Sequence, residues 1–128
     1  MGEKRLFALR GATRCLNTGE DIQEHTLALY DELLSKNKLA EEDLVSVVFS
    51  VTRDLDAKNP ATALREKGRA GETALFVTQE AHFPGRMERV IRLLVHCYLD
   101  SSQRPVHVYR GGAGVLRPER SQGVPRLP

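Results

Sequence analysis

The stretch LVSVVFSV, residues 44–51, decides how the rest of this 128-residue chain is interpreted. Valine and phenylalanine dominate it, and β-branched and aromatic side chains suit the half-buried surface of a pleated strand. We therefore predict a strand there, and we expect it to be the most buried strand of a sheet. The residues just before it, 40–43, predict a single helical turn.

Helices are predicted on both sides of this strand. Downstream, Asn59 and Pro60 match an N-cap followed by proline at the first helical position, and Gly68 lies where a terminating glycine belongs. These signals predict a short helix over residues 60–67. Upstream, Thr18 matches an N-cap, and the apolar residues after it recur at helical spacing, which predicts an amphipathic helix of about four turns.

Further strands are predicted from apolar runs at residues 5–10, 73–78 and 106–109, the first of them ending in a turn at residues 11–13. Residues 87–98 fit a helix and a strand equally well. The resulting β-α-β-α-β-β-β order indicates an α+β or α/β sheet with both helices on one face. The other face then needs a cover, and burial between subunits of a closed ring is the simplest one.

Composition limits the possible functions. The chain is 41% hydrophobic and 28% charged, as in ordinary globular domains, and no apolar run is long enough to span a membrane. Cys15 and Cys97 lie far apart without metal-ligand spacing, which predicts reduced thiols in a cytoplasmic protein, no disulfide and no zinc site. A net charge of +2 and 5% aromatic residues do not favour nucleic-acid binding.

Arginine is the informative basic residue type, with 14 arginines against 5 lysines. The planar guanidinium pairs bidentately with carboxylates, so this excess indicates an anionic organic ligand, although codon usage explains it equally well. The sequence has no Ser/His/Asp set, phosphate-binding loop or HExxH motif, which argues against the common nucleophilic, phosphoryl-transfer and zinc mechanisms.

Five charged or polar residues at strand ends or within apolar runs are the candidate site residues: Arg10, Glu80, Arg92, Tyr109 and Arg117. Each of them also fits an exposed edge or a structural ion pair. Arg92 fits an exposed edge least well, because residues 90–94 surround it with apolar groups and a buried guanidinium must be paired.

A series of short motifs resembles AroH-class chorismate mutases in content and in order. The motifs are Arg10-Gly11-Ala12-Thr13, Thr52-x-Asp54-Leu55, Pro60-Ala61 followed by Arg65, Gln79-Glu80, Val90-Ile91-Arg92, His107-Val108-Tyr109 and Leu116-Arg117-Pro118. Together they extend over residues 5–118, and each carries a residue that the family uses.

The resemblance implies an α+β fold, with a mixed β-sheet and two helices, that assembles as a homotrimeric pseudo-α/β barrel with active sites between subunits. It favours a strand over residues 87–98, and it implies a domain at residues 1–118 followed by a mobile tail at 119–128. The implied reaction is the Claisen rearrangement of chorismate to prephenate, in the phenylalanine and tyrosine branch of aromatic amino-acid biosynthesis. It needs no metal and no cofactor.

By the same resemblance, Arg92, Glu80 and Arg10 are catalytic residues. Arg92 donates to the ether oxygen, which gains negative charge in the transition state. Arg10 and Tyr109 hold the carboxylate of the enolpyruvyl side chain, and Glu80 accepts a hydrogen bond from the ring hydroxyl.

Further substrate contacts are implied around the ring carboxylate and the mouth of the site. Arg65 approaches from a neighbouring subunit, and Arg117 lies where the mobile C-terminal tail begins. The remaining implied contacts are Asn59, Ala61, Thr62, Leu75, Phe76, Val77 and Leu116. At positions 59, 62 and 77 the family usually has an aromatic residue, a lysine and a cysteine, so we expect weaker substrate affinity here.

Two alternatives remain open. A trimeric imine deaminase shares this architecture and also uses an interfacial arginine on a small carboxylate. A non-catalytic sensor of small carboxylates fits the three departures from the family pattern. Turnover of chorismate separates a mutase from both.

Overall fold

A computed structural model describes residues 2–113 of the chain, so Leu116, Arg117 and the predicted tail at 119–128 lie outside the described residues. Its helices and strands are β1 (Lys4–Arg14), α1 (Gly19–Lys36), β2 (Leu44–Val51), α2 (Pro60–Glu66), β3 (Ala74–Gln79), β4 (Val90–Asp100) and β5 (Val108–Tyr109). A 3-10 turn at Glu41–Asp43 precedes β2, as predicted. Within the described residues, no helix is long and apolar enough to cross a membrane.

The five strands form one mixed sheet in the order β3-β2-β4-β1-β5. The central strand β4 is antiparallel to both of its neighbours, whereas the two outer pairs, β2–β3 and β1–β5, are parallel. The expectation that residues 44–51 form the most buried strand is wrong. In β2 only Val47 and Phe49 are buried; Val48 and Ser50 alternate with them onto the face that no helix covers, and Leu44 and Val51 at the strand's ends are only partly buried against the core. Every inward-facing side chain of β4 is buried.

Both helices begin at the predicted caps. The Thr18 side chain accepts a hydrogen bond of 3.1 Å from the backbone N–H of Asp21. Asn59 Oδ1 accepts from the backbone N–H groups of Ala61 and Thr62, at 2.8 and 3.3 Å. With 18 residues, α1 is about five turns long, one turn more than predicted.

The predicted turn at residues 11–13 is wrong, because β1 continues through it to Arg14. Gly11 is paired on both sides, with Leu93 of β4 and Val108 of β5. A Cβ atom at this position would lie 3.1 Å from Leu29 Cδ1 of α1. The glycine therefore permits a close approach of helix and sheet, and Arg10 lies inside the strand and not at its exit.

The remaining strand predictions differ in outcome. The ambiguous segment 87–98 is a strand, Val90–Asp100, as the resemblance implied. The segment 73–78 is confirmed as β3, shifted by one residue. The segment 106–109 is a strand only over its last two residues, which pair with Gly11 and Ala12.

Both helices pack on one face of the sheet, as predicted. Side chains of α1 and α2, such as Leu29 and Leu64, share one buried cluster with Leu9, Phe49 and Val95 of the sheet. On the opposite face, four large apolar side chains are 37–65% exposed; they are Leu6, Phe76, Leu94 and Tyr98.

Candidate active site

A cavity of about 330 Å³ opens on the sheet face that the helices leave uncovered. Four strands contribute its walls, with residues Arg10, Gly11, Ala12, Val48, Ser50, Arg92, Leu93, Leu94 and Tyr109. The strand register explains the grouping, because Ala12 of β1 and Ser50 of β2 lie on either side of Arg92. The sheet therefore brings together Arg10, Arg92 and Tyr109, three of the residues predicted from sequence.

Arg10 and Tyr109 each present a buried polar atom to this region. Arg10 Nη1 and the Tyr109 hydroxyl have no hydrogen-bond partner among residues 2–113. Leaving a buried polar group unsatisfied costs about 1–3 kcal/mol, and more for a charged group. Two unsatisfied groups that can both donate, one of them on a cation, are suited to bind a carboxylate.

Arg92, which lines this cavity, forms an ion pair with Glu80, between Arg92 Nη1 and Glu80 Oε1. Glu80 itself lines a second cavity, of about 210 Å³. Ser50 Oγ donates to the same carboxylate oxygen at 3.2 Å. The backbone N–H of Glu80 donates to the carbonyl of Val51 at 2.8 Å, which fixes Glu80 just after the end of β3. The expectation that Arg92 is paired is confirmed, and both side chains stay partly exposed, at 27% and 17%.

The short strand β5 carries Tyr109 and is attached to its surroundings by side chains as well as by the ladder. The backbone N–H of Arg10 donates to His107 Nδ1 at 3.0 Å, and that of Arg110 donates to the carbonyl of Ala12 at 2.9 Å. Arg110 Nη1 lies 2.5 Å from Glu32 of α1, and this charge-assisted hydrogen bond lowers the pKa of Glu32.

Comparisons with known proteins identify the family of this chain. Residues 6–120 match the family described as chorismate mutase type I. The chain belongs to that family. It is similar to the chorismate mutase AroH of Bacillus subtilis (strain 168), with 33% identity over 115 residues, which cover 88% of this chain and 91% of that protein.

Two further relatives extend the likeness to the type I family. The chorismate mutase AroH of Thermus thermophilus is 37% identical over 105 residues, covering 80% of this chain and 85% of that one. A solved chorismate mutase from Clostridium thermocellum superimposes with a TM-score of 0.78 at 40% identity, covering 85% of this chain and 98% of that one. The predicted family and the predicted α+β fold are thus confirmed.

Arg65, a predicted ligand of the type I site, does not line the cavity of its own chain. It lies in α2, on the helix-covered face, and donates to the backbone carbonyls of Ala70, Gly71 and Thr73 at 2.7, 3.1 and 2.9 Å. In the single chain its guanidinium therefore holds the loop between α2 and β3.

The other predicted contacts also lie away from the cavity. Asn59 caps α2, and Ala61 and Thr62 are in its first turn. Leu75 and Val77 point to the core and pack against the buried cluster. Phe76, between them, faces the uncovered side and is 65% exposed.

Sequence reasoning missed two residues of this region. Ser50 supports Glu80, and its signal was present, since alternation along residues 44–51 puts Ser50 on the face opposite Phe49. His107 contacts the backbone of Arg10. Its motif was noted, but no sequence pattern reveals that a side chain 97 positions away accepts that bond.

Proposed function

We propose that the cavity between β1, β2, β4 and β5 is the chorismate site, and that the protein uses it to rearrange chorismate to prephenate. One observation carries the assignment: Arg10 and Tyr109, whose Nη1 and hydroxyl groups have no hydrogen-bond partner among residues 2–113, line the same cavity as Arg92, which is paired with Glu80. A substrate with two carboxylates, a hydroxyl and an ether oxygen offers partners to all four residues.

Arg92 supplies the transition-state contact. As the ether bond breaks, negative charge accumulates on the ether oxygen, and a guanidinium N–H held in place binds that oxygen more strongly than in the ground state. The ion pair with Glu80 holds the guanidinium in place before substrate arrives. No proton has to be transferred.

Glu80 accepts a hydrogen bond from the ring hydroxyl of the substrate. Its carboxylate is already oriented by Ser50 and by its own backbone bond to Val51. A carboxylate with four lone-pair sites can accept from the substrate hydroxyl while it remains paired with Arg92. Glu80 therefore links the substrate ring to the residue that stabilises the breaking bond.

Arg10 and Tyr109 bind the carboxylate of the enolpyruvyl side chain. Fixing that group holds the side chain folded over the ring, so part of the entropic barrier is removed on binding. A millionfold acceleration needs about 8 kcal/mol. Charge-assisted hydrogen bonds of about 1.5–3 kcal/mol each, strengthened in the transition state, can supply it.

The site is completed between subunits of a homotrimer in this proposal. The apolar side chains beside the cavity favour a protein partner on this face. Among the contacts that lie away from the cavity, Arg65, Asn59, Ala61, Thr62 and Phe76 then reach substrate from a neighbouring subunit. The side chains of Leu75 and Val77 pack in the core, so these two residues contact substrate through their backbone. Leu116 and Arg117 keep their proposed contacts with the substrate. A cytoplasmic location agrees with the two free buried thiols, Cys15 and Cys97.

The test is the disappearance of the ultraviolet diene absorbance of chorismate, with prephenate identified by acid conversion to phenylpyruvate. We expect rapid turnover by the intact protein and a loss of roughly 100- to 1,000-fold in kcat for Arg92→Ala. Arg104→Ala, at an exposed loop position, is the matched control and should keep full activity. Light scattering should show the same trimer for all three proteins.

Two results would contradict the proposal. Near-normal turnover by Arg92→Ala would remove Arg92 from the ether oxygen. A folded trimer that binds chorismate without converting it would instead indicate the non-catalytic sensor. The family match already disfavours the imine deaminase.

A further inference from the structure

The N–H group of Arg10 points away from β4 and toward the edge strand β5, where the backbone ladder has already ended. Only Val108 and Tyr109 of β5 pair with β1. One residue earlier, the imidazole of His107 takes the place of a backbone carbonyl, and its Nδ1 accepts the Arg10 N–H at 3.0 Å. A side chain thus continues the sheet at the residue whose guanidinium lines the cavity.

The segment that carries His107 is fixed immediately before it. Asn37 is fully buried at the end of α1, and its Nδ2 donates to the carbonyls of Leu33 and Val106, both at 2.8 Å. The Asn37 Oδ1 accepts from the backbone N–H of Val106, also at 2.8 Å. The backbone immediately before His107 is therefore held in place by the hydrogen bonds of Asn37.

The segment is also fixed immediately after Tyr109. Arg110 donates its backbone N–H to the carbonyl of Ala12 and its side chain to Glu32 of α1. With both ends of residues 106–110 anchored, the bond from the Arg10 N–H to His107 Nδ1 joins the segment to the backbone of Arg10 one residue before the ladder of Val108 and Tyr109 begins.

We propose that His107 is a positioning residue for the carboxylate-binding pair Arg10 and Tyr109. By accepting the Arg10 N–H, it helps to hold the Arg10 backbone at a set distance from β5. This keeps near each other the two groups that have no hydrogen-bond partner among residues 2–113. The role requires an acceptor at the Nδ1 position, which means an imidazole with its proton on Nε2. This inference rests on the proposed function, since it assigns Arg10 and Tyr109 to the substrate carboxylate.

His107→Leu is the first variant, because leucine has a comparable size and no acceptor. We expect kcat/KM to fall roughly tenfold, mainly through a higher KM, since Arg92 and Glu80 are untouched. His107→Asn should recover most of the lost kcat/KM, because asparagine Oδ1, like histidine Nδ1, is an acceptor bonded to Cγ. His25→Leu, on the surface of α1 beside Asp21, is the matched control and should keep the intact protein's kinetics.

A double-mutant cycle separates positioning from a general structural role. If His107 acts through Arg10, adding His107→Leu to Arg10→Ala should change kcat/KM by less than about twofold. A full additional tenfold loss would overturn the proposal, and so would an asparagine variant as poor as the leucine variant.

The same data keep this inference apart from the proposed function. Normal kinetics for Arg10→Ala would contradict the carboxylate-binding role itself. A defective Arg10→Ala beside a normal His107→Leu would overturn the positioning role alone. Should the leucine variant not fold, His107→Gln, which moves the acceptor one carbon outward, is expected to raise KM, and an unchanged KM would count against the proposal.

Discussion

Individual residues of the candidate site depart from the rule that buried polar atoms in a protein interior have hydrogen-bond partners. Buried polar atoms are normally satisfied, and the hydroxyl of Tyr30 follows that rule, since it donates to Glu41 at 2.5 Å. Burial and, after it, this bond raise the pKa of Tyr30. The hydroxyl of Tyr109 has no partner among the described residues. Two tyrosines of one small fold thus have opposite surroundings.

This contrast predicts that replacing tyrosine by phenylalanine changes the free energy of unfolding in opposite directions at the two positions. Tyr109→Phe removes an unsatisfied hydroxyl, so the free energy of unfolding should rise by about 1 kcal/mol while KM for chorismate increases several-fold. Tyr30→Phe breaks a satisfied bond and should lower the free energy of unfolding by about 1–2 kcal/mol with KM unchanged. Urea unfolding and steady-state kinetics measure both. Destabilisation by Tyr109→Phe would show that its hydroxyl has a structural partner.

At the scale of the element, β1 is the strand on which the site is built. It pairs with β4 along its whole length, and its residue Arg10 lines the cavity. At Gly11 it packs closely against Leu29 of α1. A side chain at position 11 would meet Leu29 of α1 at 3.1 Å and the carbonyl of Val108 at 3.4 Å. The helix, β1 and β5 therefore meet at a point where only glycine fits without displacement.

Gly11→Ala should consequently destabilise the protein by about 1–3 kcal/mol, the range found for overpacked interiors. Gly71→Ala is the control, since a Cβ there meets nothing within 4 Å. Thermal unfolding measures the stability of the two variants. Equal stability of Gly11→Ala and Gly71→Ala would mean that α1 shifts without strain to accommodate the added methyl group.

For the whole molecule, the uncovered sheet face is the decisive feature. It carries both the cavity and the exposed Leu6, Phe76, Leu94 and Tyr98. A sheet normally buries its second apolar face against another layer, and the described residues provide none in the single chain. Assembly and activity are therefore expected to depend on the same surface.

Leu6→Glu tests that dependence, because Leu6 is 51% exposed on this face and does not line the cavity. A carboxylate buried between subunits without a partner is costly, so the variant should dissociate to monomers and lose activity together. Leu16→Glu, 60% exposed in the loop before α1, should remain assembled and active. Light scattering with parallel assays reports the result. Full activity in a monomeric variant would contradict a site shared between subunits.

Short sequence patterns were sufficient to predict features that depend on interactions between residues close together in the chain. Thr18 and Asn59 were recognisable as caps, because a capping side chain bonds N–H groups two or three residues ahead. The pairing of Arg92 was predictable from its apolar neighbours, although the sequence did not identify Glu80 as its partner. The turn predicted at residues 11–13 failed, because a glycine needed for close packing looks identical in sequence to one needed for a turn.

The sequence by itself determined the family, the order of the helices and strands, and the arginine-rich chemistry of the site. The tertiary structure alone decided that β4 is the central strand, that Ser50 supports Glu80, and that His107 bonds the backbone of Arg10. The physical reason is that periodicity and capping arise from neighbours along the chain. Strand order and the placement of Arg10 beside Tyr109 arise from contacts between distant residues, which no local pattern encodes.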